Sequence, residues 1–525
     1  MDRRALLTTA VSTAVTTAVA ATGCSSSAAG GSTATRTVTP VRTSGPAGGP
    51  TASAAPDWKA LARGLDGQLV RPGDAAYPTA RQLYNTRFDS LKPAAVAYVA
   101  GEDDIKECLA YARAHRTPVS IRNGGHSYAG WSSGNGRLVI DVSAMNRVAA
   151  DGTIGAGAKL IDVYESLARQ GRTIPAGSCP TVGVSGLALG GGHGVSSRAY
   201  GLTCDSLLSA TIVTADGKRL TASAEENKDL FWALRGAGNG NFGVVTGFRF
   251  RTHPTPPAVT AYLTWPWSKS AAVFTAWQQW APGQPDEIWS SAHLSAGPGG
   301  STPTFSIAAF SLGSESDLQN ALDRLADRAG SSARSVSLRR RSYRDAMLNY
   351  ANCGTLSDAQ CHLPGTTPGR TQEGVLQRET YAAASDFFDR NLSAAGVQSL
   401  IAAAEGFTRL SPAQGGGGSL VLTALGGAIN RVDPLATAFV HRRSRMLAQY
   451  IAAWRPDTSG APQRAWLKDA HASMRRHASG AAYQNYVDPT LTDWRRAYYG
   501  PAADRLAGLK KQYDPGRLFD FPQAL

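Results

Sequence analysis

Arg122-Asn123-Gly124-Gly125-His126-Ser127-Tyr128-Ala129-Gly130, read together with Gly177-Ser178-Cys179-Pro180-Thr181-Val182-Gly183, decides how the rest of this chain is interpreted. The first stretch sets a histidine in a glycine-dense turn, and the second sets a cysteine at the head of another. Glycine lets backbone N–H groups come close to a ligand and form an anion-holding concavity. An imidazole and a thiol held against such cradles are a nucleophilic pair suited to an electrophilic, phosphate-bearing partner.

The flanking sequence supplies strands alternating with helices. Strands are expected at 93–99, 118–122 and 138–141, with an amphipathic helix at 103–115 and another at 160–170 after Ile154-Gly155-Ala156-Gly157. That alternation suits an α+β layout. Gly238-Asn239-Gly240-Asn241-Phe242-Gly243 fits G-x-G-x-x-G, but a dinucleotide fingerprint needs a strand before it and a helix after. Here a helical stretch at 229–235 precedes it and a strand at 244–250 follows, so the order is reversed and an NAD site is not expected.

These motifs resemble the flavoenzymes of the berberine-bridge-enzyme type. Their FAD-binding domain is of the PCMH kind shared with relatives of vanillyl-alcohol oxidase, and FAD is attached twice, through a histidine and a cysteine. The resemblance implies linkage of His126 to the flavin 8α methyl and of the Cys179 sulfur to flavin C6. Many relatives lack the cysteine, so its presence points to the doubly linked subgroup. Val184-Ser185-Gly186-Leu187-Ala188-Leu189-Gly190-Gly191-Gly192-His193-Gly194 is similar to the family's flavin- and pyrophosphate-lining segment. His193 departs from it, since several relatives carry a tyrosine there; it either faces substrate or packs under the flavin. Carried over residue by residue, the cofactor-binding set is Arg122, Asn123, Gly124, Gly125, Ser127, Val182, Gly183, Ser185, Gly186, Gly191, Gly192, Gly243, Val244, Val245 and Asn485, besides the two linkage residues.

The C-terminal run Tyr483-Gln484-Asn485-Tyr486-Val487-Asp488, continued by Tyr498-Tyr499-Gly500 and Phe519-Asp520-Phe521-Pro522, resembles the segment that defines the group and brings a tyrosine over the flavin. Tyr486 is thereby implied as the base that removes a hydroxyl proton, with Tyr483 and Tyr128 as helpers. A free phenol ionises near pH ~10, so cationic neighbours and the electron-poor flavin are expected to favour its phenolate. Val182 is small, and relatives with a small group there admit O2, which favours an oxidase yielding H2O2 over a dehydrogenase.

Between these segments, 254–479 is matched only in general character. Helices are expected at 318–329 and 435–454, strands at 304–310 and 420–425, and a flexible turn at Gly415-Gly416-Gly417-Gly418. A half-polar antiparallel sheet covered on one side by helices fits the family's substrate domain. Trp265, Trp267, Trp277, Trp280 and Trp289 are read mainly as core, with stacking on sugar rings as the alternative.

Composition bounds the remaining classes. The chain has 525 residues and a formal charge of +14. Its scattered arginine pairs lack interleaved aromatics, and no metal-ligand spacing accompanies them, so a solvated surface is read rather than nucleic-acid binding. Six cysteines are not a disulfide scaffold; Cys353 and Cys361 pair only if geometry and compartment allow it. Residues 1–24 read as an export signal of twin-arginine type ending at Cys24, a lipid-anchor candidate, and 25–56 as a Ser/Thr/Gly/Pro tether. The expected order is then 57–255 for FAD, 256–480 for substrate and 481–525 for the returning segment. The protein is expected in the cell envelope or outside the cell. The function expected is hydride transfer from a hydroxyl-bearing carbon, most readily C1 of a sugar or oligosaccharide, to doubly linked FAD. A secondary-metabolite oxidase is the alternative enzyme, and a tethered solute-binding lipoprotein the alternative class.

Overall fold

The computed structural model describes residues 57–525; the expected signal, lipid-anchor cysteine and tether lie outside the described residues. Three larger sheets carry the fold, besides a two-stranded pairing of Arg172–Thr173 with His253–Pro254. The first is ordered Gln68–Val70, Ala95–Tyr98, Leu138–Asp141, Val119–Arg122. Its last three strands are parallel, and the two central ones, Ala95–Tyr98 and Leu138–Asp141, are largely apolar and buried throughout. The helix Glu102–His115 makes the crossover; Glu102, Asp103 and Asp104 complement the positive end of its dipole. The strand Val119–Arg122 delivers its last residue directly into the first glycine turn.

The second sheet is antiparallel, in the order Thr153–Gly155, Val244–Phe250, Leu207–Val213, Arg219–Ser223. Its strand Val244–Phe250 follows the G-x-G-x-x-G turn and the helix Lys228–Leu234, the reversed order that argued against a dinucleotide site.

The third sheet has seven antiparallel strands, ordered Ser335–Arg341, Ala258–Trp265, Thr304–Ser311, Ile288–Ala296, Gly417–Ala424, Met446–Ala453, Tyr381–Phe388. Successive side chains of a strand point to opposite faces. One face, including Leu263, Ala292, Leu294, Ile307, Leu420, Leu422 and Tyr450, packs under the helices Ser270–Trp280, Glu315–Ala329, Ala394–Thr408 and Ala461–Arg475. Trp265, Trp277 and Trp280 belong to that core. The central part of the opposite face mixes polar and apolar side chains, Ser291, His293 and Thr423 among them, and it roofs the cavity described below.

Two-sided burial explains the main error of sequence reading here. The helix expected at 435–454 is instead the strand Met446–Ala453. Leu447, Gln449 and Ile451 face one side and Met446, Ala448 and Tyr450 the other, nearly all buried, so no period of two survives in the sequence. The glycine turn also shifts: Gly415 and Gly416 take left-handed φ of 60° and 82°, whereas Gly417 and Gly418 already pair in the sheet. At Gly418 a side chain would collide with Phe407 and Trp466 of the covering helices. Cys353 and Cys361 form a disulfide, their Cα atoms 5.8 Å apart, so the pairing that sequence left open is made.

Candidate active site

One long cavity runs between the two FAD-side sheets and the polar face of the seven-stranded sheet, enclosing about 2350 Å³ of non-atom space, its solvent mouth included. Both motifs that opened the sequence reading reach it. Their turns pack on each other so closely that a Cβ at Gly124 would lie 2.5 Å from the Thr181 carbonyl oxygen; glycine here is a packing requirement as much as a ligand cradle. Asn123 locks the junction, its amide donating to the Ala156 carbonyl (2.5 Å) and to Ser185 Oγ (3.2 Å).

His126 lies deep in the protein yet lines the cavity. Its ring stacks on Tyr84 at 4.0 Å and its Nε2 sits 2.8 Å from Thr181 Oγ1. Burial, aided by the nearby Lys159 ammonium, pushes its pKa down to about 3, so the imidazole is neutral and has a nucleophilic nitrogen at ordinary pH. Cys179 lines the same cavity and is not in a disulfide. Arg122 pairs with Asp141 in a buried ion pair, and its Nη1 has no partner within the protein although the residue borders the cavity. Ser132 Oγ and Asn239 Oδ1 are likewise orphaned on the wall. Buried polar atoms without partners are costly. A cavity lined by such donors, acceptors and a neutral imidazole fits a polar, phosphate-bearing cofactor such as FAD.

Most of the expected flavin set borders the cavity: Arg122, Asn123, Gly124, Gly125, Ser127, Val182, Gly183, Ser185, Gly186, Gly243, Val245 and Asn485. Three do not. Val244 points to the other face of its strand and is fully buried in the core. Gly191 and Gly192 turn the chain with φ of 121° and 82° behind the wall, where Gly191 abuts Phe439 and the Gly192 N–H donates to Tyr483 Oη (2.8 Å).

The tyrosines divide by what their hydroxyls do. Tyr483 borders the cavity but is buried, and its oxygen accepts from Gly192 N and from Asn485 Nδ2 (2.9 Å), which ties the wall together. Tyr128 stacks flat on Tyr486, ring centres 5.3 Å apart and planes 4° from parallel, and its oxygen accepts from Gln449 Nε2 (2.6 Å). Tyr486 Oη lies 2.8 Å from His193 Nε2. The cations expected beside Tyr486 are not what acts on it: burial first, then Tyr128, Tyr483 and Cys179, push its pKa well above 10. The phenol is therefore neutral in the resting protein. His193, left open by sequence, is a partner of Tyr486.

Sequence reasoning missed the roof. Trp289, Ser291, His293 and Thr423 project into the cavity from alternate positions of Ile288–Ala296 and Gly417–Ala424, joined by Tyr262, Asn349 and Tyr381. Ser291 Oγ and His293 Nε2 are 2.7 Å apart, and Trp289 Nε1 has no partner in the protein. Among the clustered tryptophans only Trp289 borders this cavity. The period of two in Trp289-Ser290-Ser291-Ala292-His293 was the available signal.

A family model described as "FAD binding domain" matches residues 93–223, and one described as "Berberine and berberine like" matches 482–525. The chain is 31% identical to an uncharacterised FAD-linked oxidoreductase, YgaK of Bacillus subtilis, over 88% of this chain and 97% of the relative. The chain belongs to the berberine-bridge-enzyme-like FAD-linked oxidoreductases. It is 32% identical to the xylooligosaccharide oxidase of Thermothelomyces thermophilus, over 82% of this chain and 87% of that enzyme. Berberine-bridge-enzyme-like 1 of Physcomitrella patens superimposes with a TM-score of 0.79 at 31% identity, covering 89% of this chain and 98% of that one. As a member of this family the protein is an FAD-dependent oxidoreductase with an α+β, PCMH-type fold.

Proposed function

We propose that the protein is an exported carbohydrate oxidase that takes a hydride from a hydroxyl-bearing carbon, C1 of a neutral sugar or oligosaccharide, and passes the electrons to O2 to give H2O2. The observation that carries the reading is the two-sided cavity: the His126 and Cys179 turns on one wall, an uncharged polar sheet face on the other, and Tyr486 beside Cys179. Bound FAD supplies the hydride acceptor. His126 and Cys179 would hold it covalently, and Arg122 Nη1, Ser132 and Asn239 would meet its polar groups.

The roof fits a sugar rather than an acid or an amine. Trp289, Ser291, His293, Thr423, Tyr262 and Asn349 offer hydroxyl, amide, indole and imidazole groups and carry no fixed charge. The charged lining residues Arg137 and Asp520 sit where the cavity borders a surface groove. The similarity to a xylooligosaccharide oxidase supports the same substrate class. As the hydride leaves, the hydroxyl proton must go to a base within reach, and Tyr486, which lines the cavity, is the residue to which this reading gives that role. Cys179 is one of the groups that hold the Tyr486 pKa up; tying that sulfur to carbon would remove this contribution and make the phenol easier to ionise. Val182 on the wall leaves room for O2. Export rests on the sequence of residues 1–24.

The test is a panel of neutral, acidic and amino sugars mixed anaerobically with the purified yellow protein, with peptide mass analysis alongside. Neutral oligosaccharides should bleach the flavin and give peroxide when air is admitted, and FAD mass should appear on fragments containing His126 and Cys179. Bleaching by uronic acids alone, or unmodified His126 and Cys179 fragments, would refute the substrate class or the double linkage respectively.

A further inference from the structure

We infer that His193 accepts the Tyr486 proton, so that the hydroxyl proton of the substrate leaves through a two-residue relay, substrate to Tyr486 Oη and Tyr486 to His193 Nε2. This rests on Tyr486 being the base proposed above.

The geometry is a hydrogen bond of 2.8 Å between two groups that both line the cavity. His193 stands on the turn after the helix Val184–Leu189, and Tyr486 on the returning C-terminal segment. The turn is held by Tyr483, whose oxygen takes the Gly192 N–H; Tyr483 also packs tilted against the His193 ring at 5.5 Å. The titratable groups facing the pair are Tyr483, Tyr128 and Cys179, none of them a cation.

The order of proton affinities decides how such a pair works. Burial drops His193 to about 4, so its ring is neutral at pH 7 and has one nitrogen able to accept. Tyr486 is raised well above 10, so no proton crosses in the resting state. A carbon that loses a hydride while still bearing its hydroxyl becomes a protonated carbonyl, a far stronger acid than either group. Proton movement is thus downhill only while the hydride moves, and a weakly basic imidazole suffices at the end of the relay. The balance closes: one C–H and one O–H bond of the substrate break and a C=O bond forms. The hydroxyl proton goes to Tyr486 and the Tyr486 proton to His193, and the hydride would be taken by FAD held at His126 and Cys179. Reduction of O2 to H2O2 then consumes the hydride and the proton. A relay also removes the need for a phenolate, which no cation acting on Tyr486 would stabilise.

Three variants and one spectrum test this. His193→Gln keeps a hydrogen-bonding group opposite Tyr486 but cannot take a proton. With flavin content unchanged, and with cellobiose as the probe under anaerobic conditions, its flavin reduction should slow by about 10²-fold, within the range of general base catalysis. Its rate should climb about tenfold per pH unit as hydroxide substitutes, while the wild type stays level above pH ~6. Added imidazole should restore part of the rate in His193→Ala. Rates for His193→Gln within threefold of wild type on a parallel pH profile, or no response to imidazole, would overturn the relay. Tyr486→Phe separates the two claims: undiminished reduction there defeats the base assignment itself, whereas slowing in Tyr486→Phe without slowing in His193→Gln defeats only the relay. A readout without turnover is the nitrogen NMR spectrum of 15N-histidine-labelled protein at pH 7. His193 Nε2 should be unprotonated and should shift in Tyr486→Phe; a proton found on Nε2 contradicts the proposal.

Discussion

Replacing Asp205 with asparagine should destabilise the protein by about 3–5 kcal/mol, the cost of leaving one member of a buried ion pair uncompensated. Arg442 is wholly buried, and its guanidinium forks onto the two Asp205 carboxylate oxygens at 2.7 and 2.8 Å. Two unit charges about 4 Å apart attract by about 4 kcal/mol at an effective dielectric constant of 20, which agrees with that range. Asparagine retains one acceptor but no charge, so the cation stays desolvated with only neutral partners, that oxygen, the Phe439 and Ile429 carbonyls and Thr437 Oγ1. The Asp205→Asn, Arg442→Met double variant should recover most of the loss, because neither charge is then stranded. The assay is a double-mutant cycle read from guanidinium unfolding midpoints. A single-variant loss under 1 kcal/mol, or a double variant worse than the sum of the singles, would refute the claim that a desolvated pair holds the segment around Asp205 to the loop that carries Phe439.

Acid should weaken the fold before carboxylates titrate. His193, His293 and His441 are buried and depressed to about 4, so between pH ~6.5 and 4 the unfolded chain binds protons that the folded one refuses, and stability falls as pH falls. Three such groups give a slope of up to about 4 kcal/mol per pH unit near pH 5; a flat stability profile from pH 7 to 5 contradicts their burial as neutral rings. Opening the Cys353–Cys361 bridge, by Cys353→Ser or by reductant, should cost about 2–3 kcal/mol on the loop-entropy scale for so short a loop. The melting temperature should drop equally in both cases, with no additional effect of reductant on the variant.

Legibility followed the chemistry of the residue types. Glycine turns carrying one histidine and one cysteine are rare enough to declare themselves, and the parallel strands Ala95–Tyr98 and Leu138–Asp141 read directly as bounded apolar runs. The seven-stranded sheet was harder to read because its central strands are covered on both faces: Met446–Ala453, largely apolar apart from Gln449, shows no alternation and mimics a helix. Gly191, Gly192 and Val244 entered the expected flavin set with the motifs that resemble the family's, yet they do not border the cavity. Sequence spacing does not report which side of a strand or turn faces a void. The His193–Tyr486 contact joins positions 293 residues apart, and nothing local to either announces the other.

The roof has one more consequence. Its lining is written at every second position of neighbouring strands, while the intervening positions are anchored in the oily layer beneath the helices. If the roof meets the substrate as proposed, exchanging Ser291, His293 or Thr423 would redraw what the enzyme grasps while the intervening positions keep their packing, so new preferences would be reachable by single steps that leave the facing wall intact.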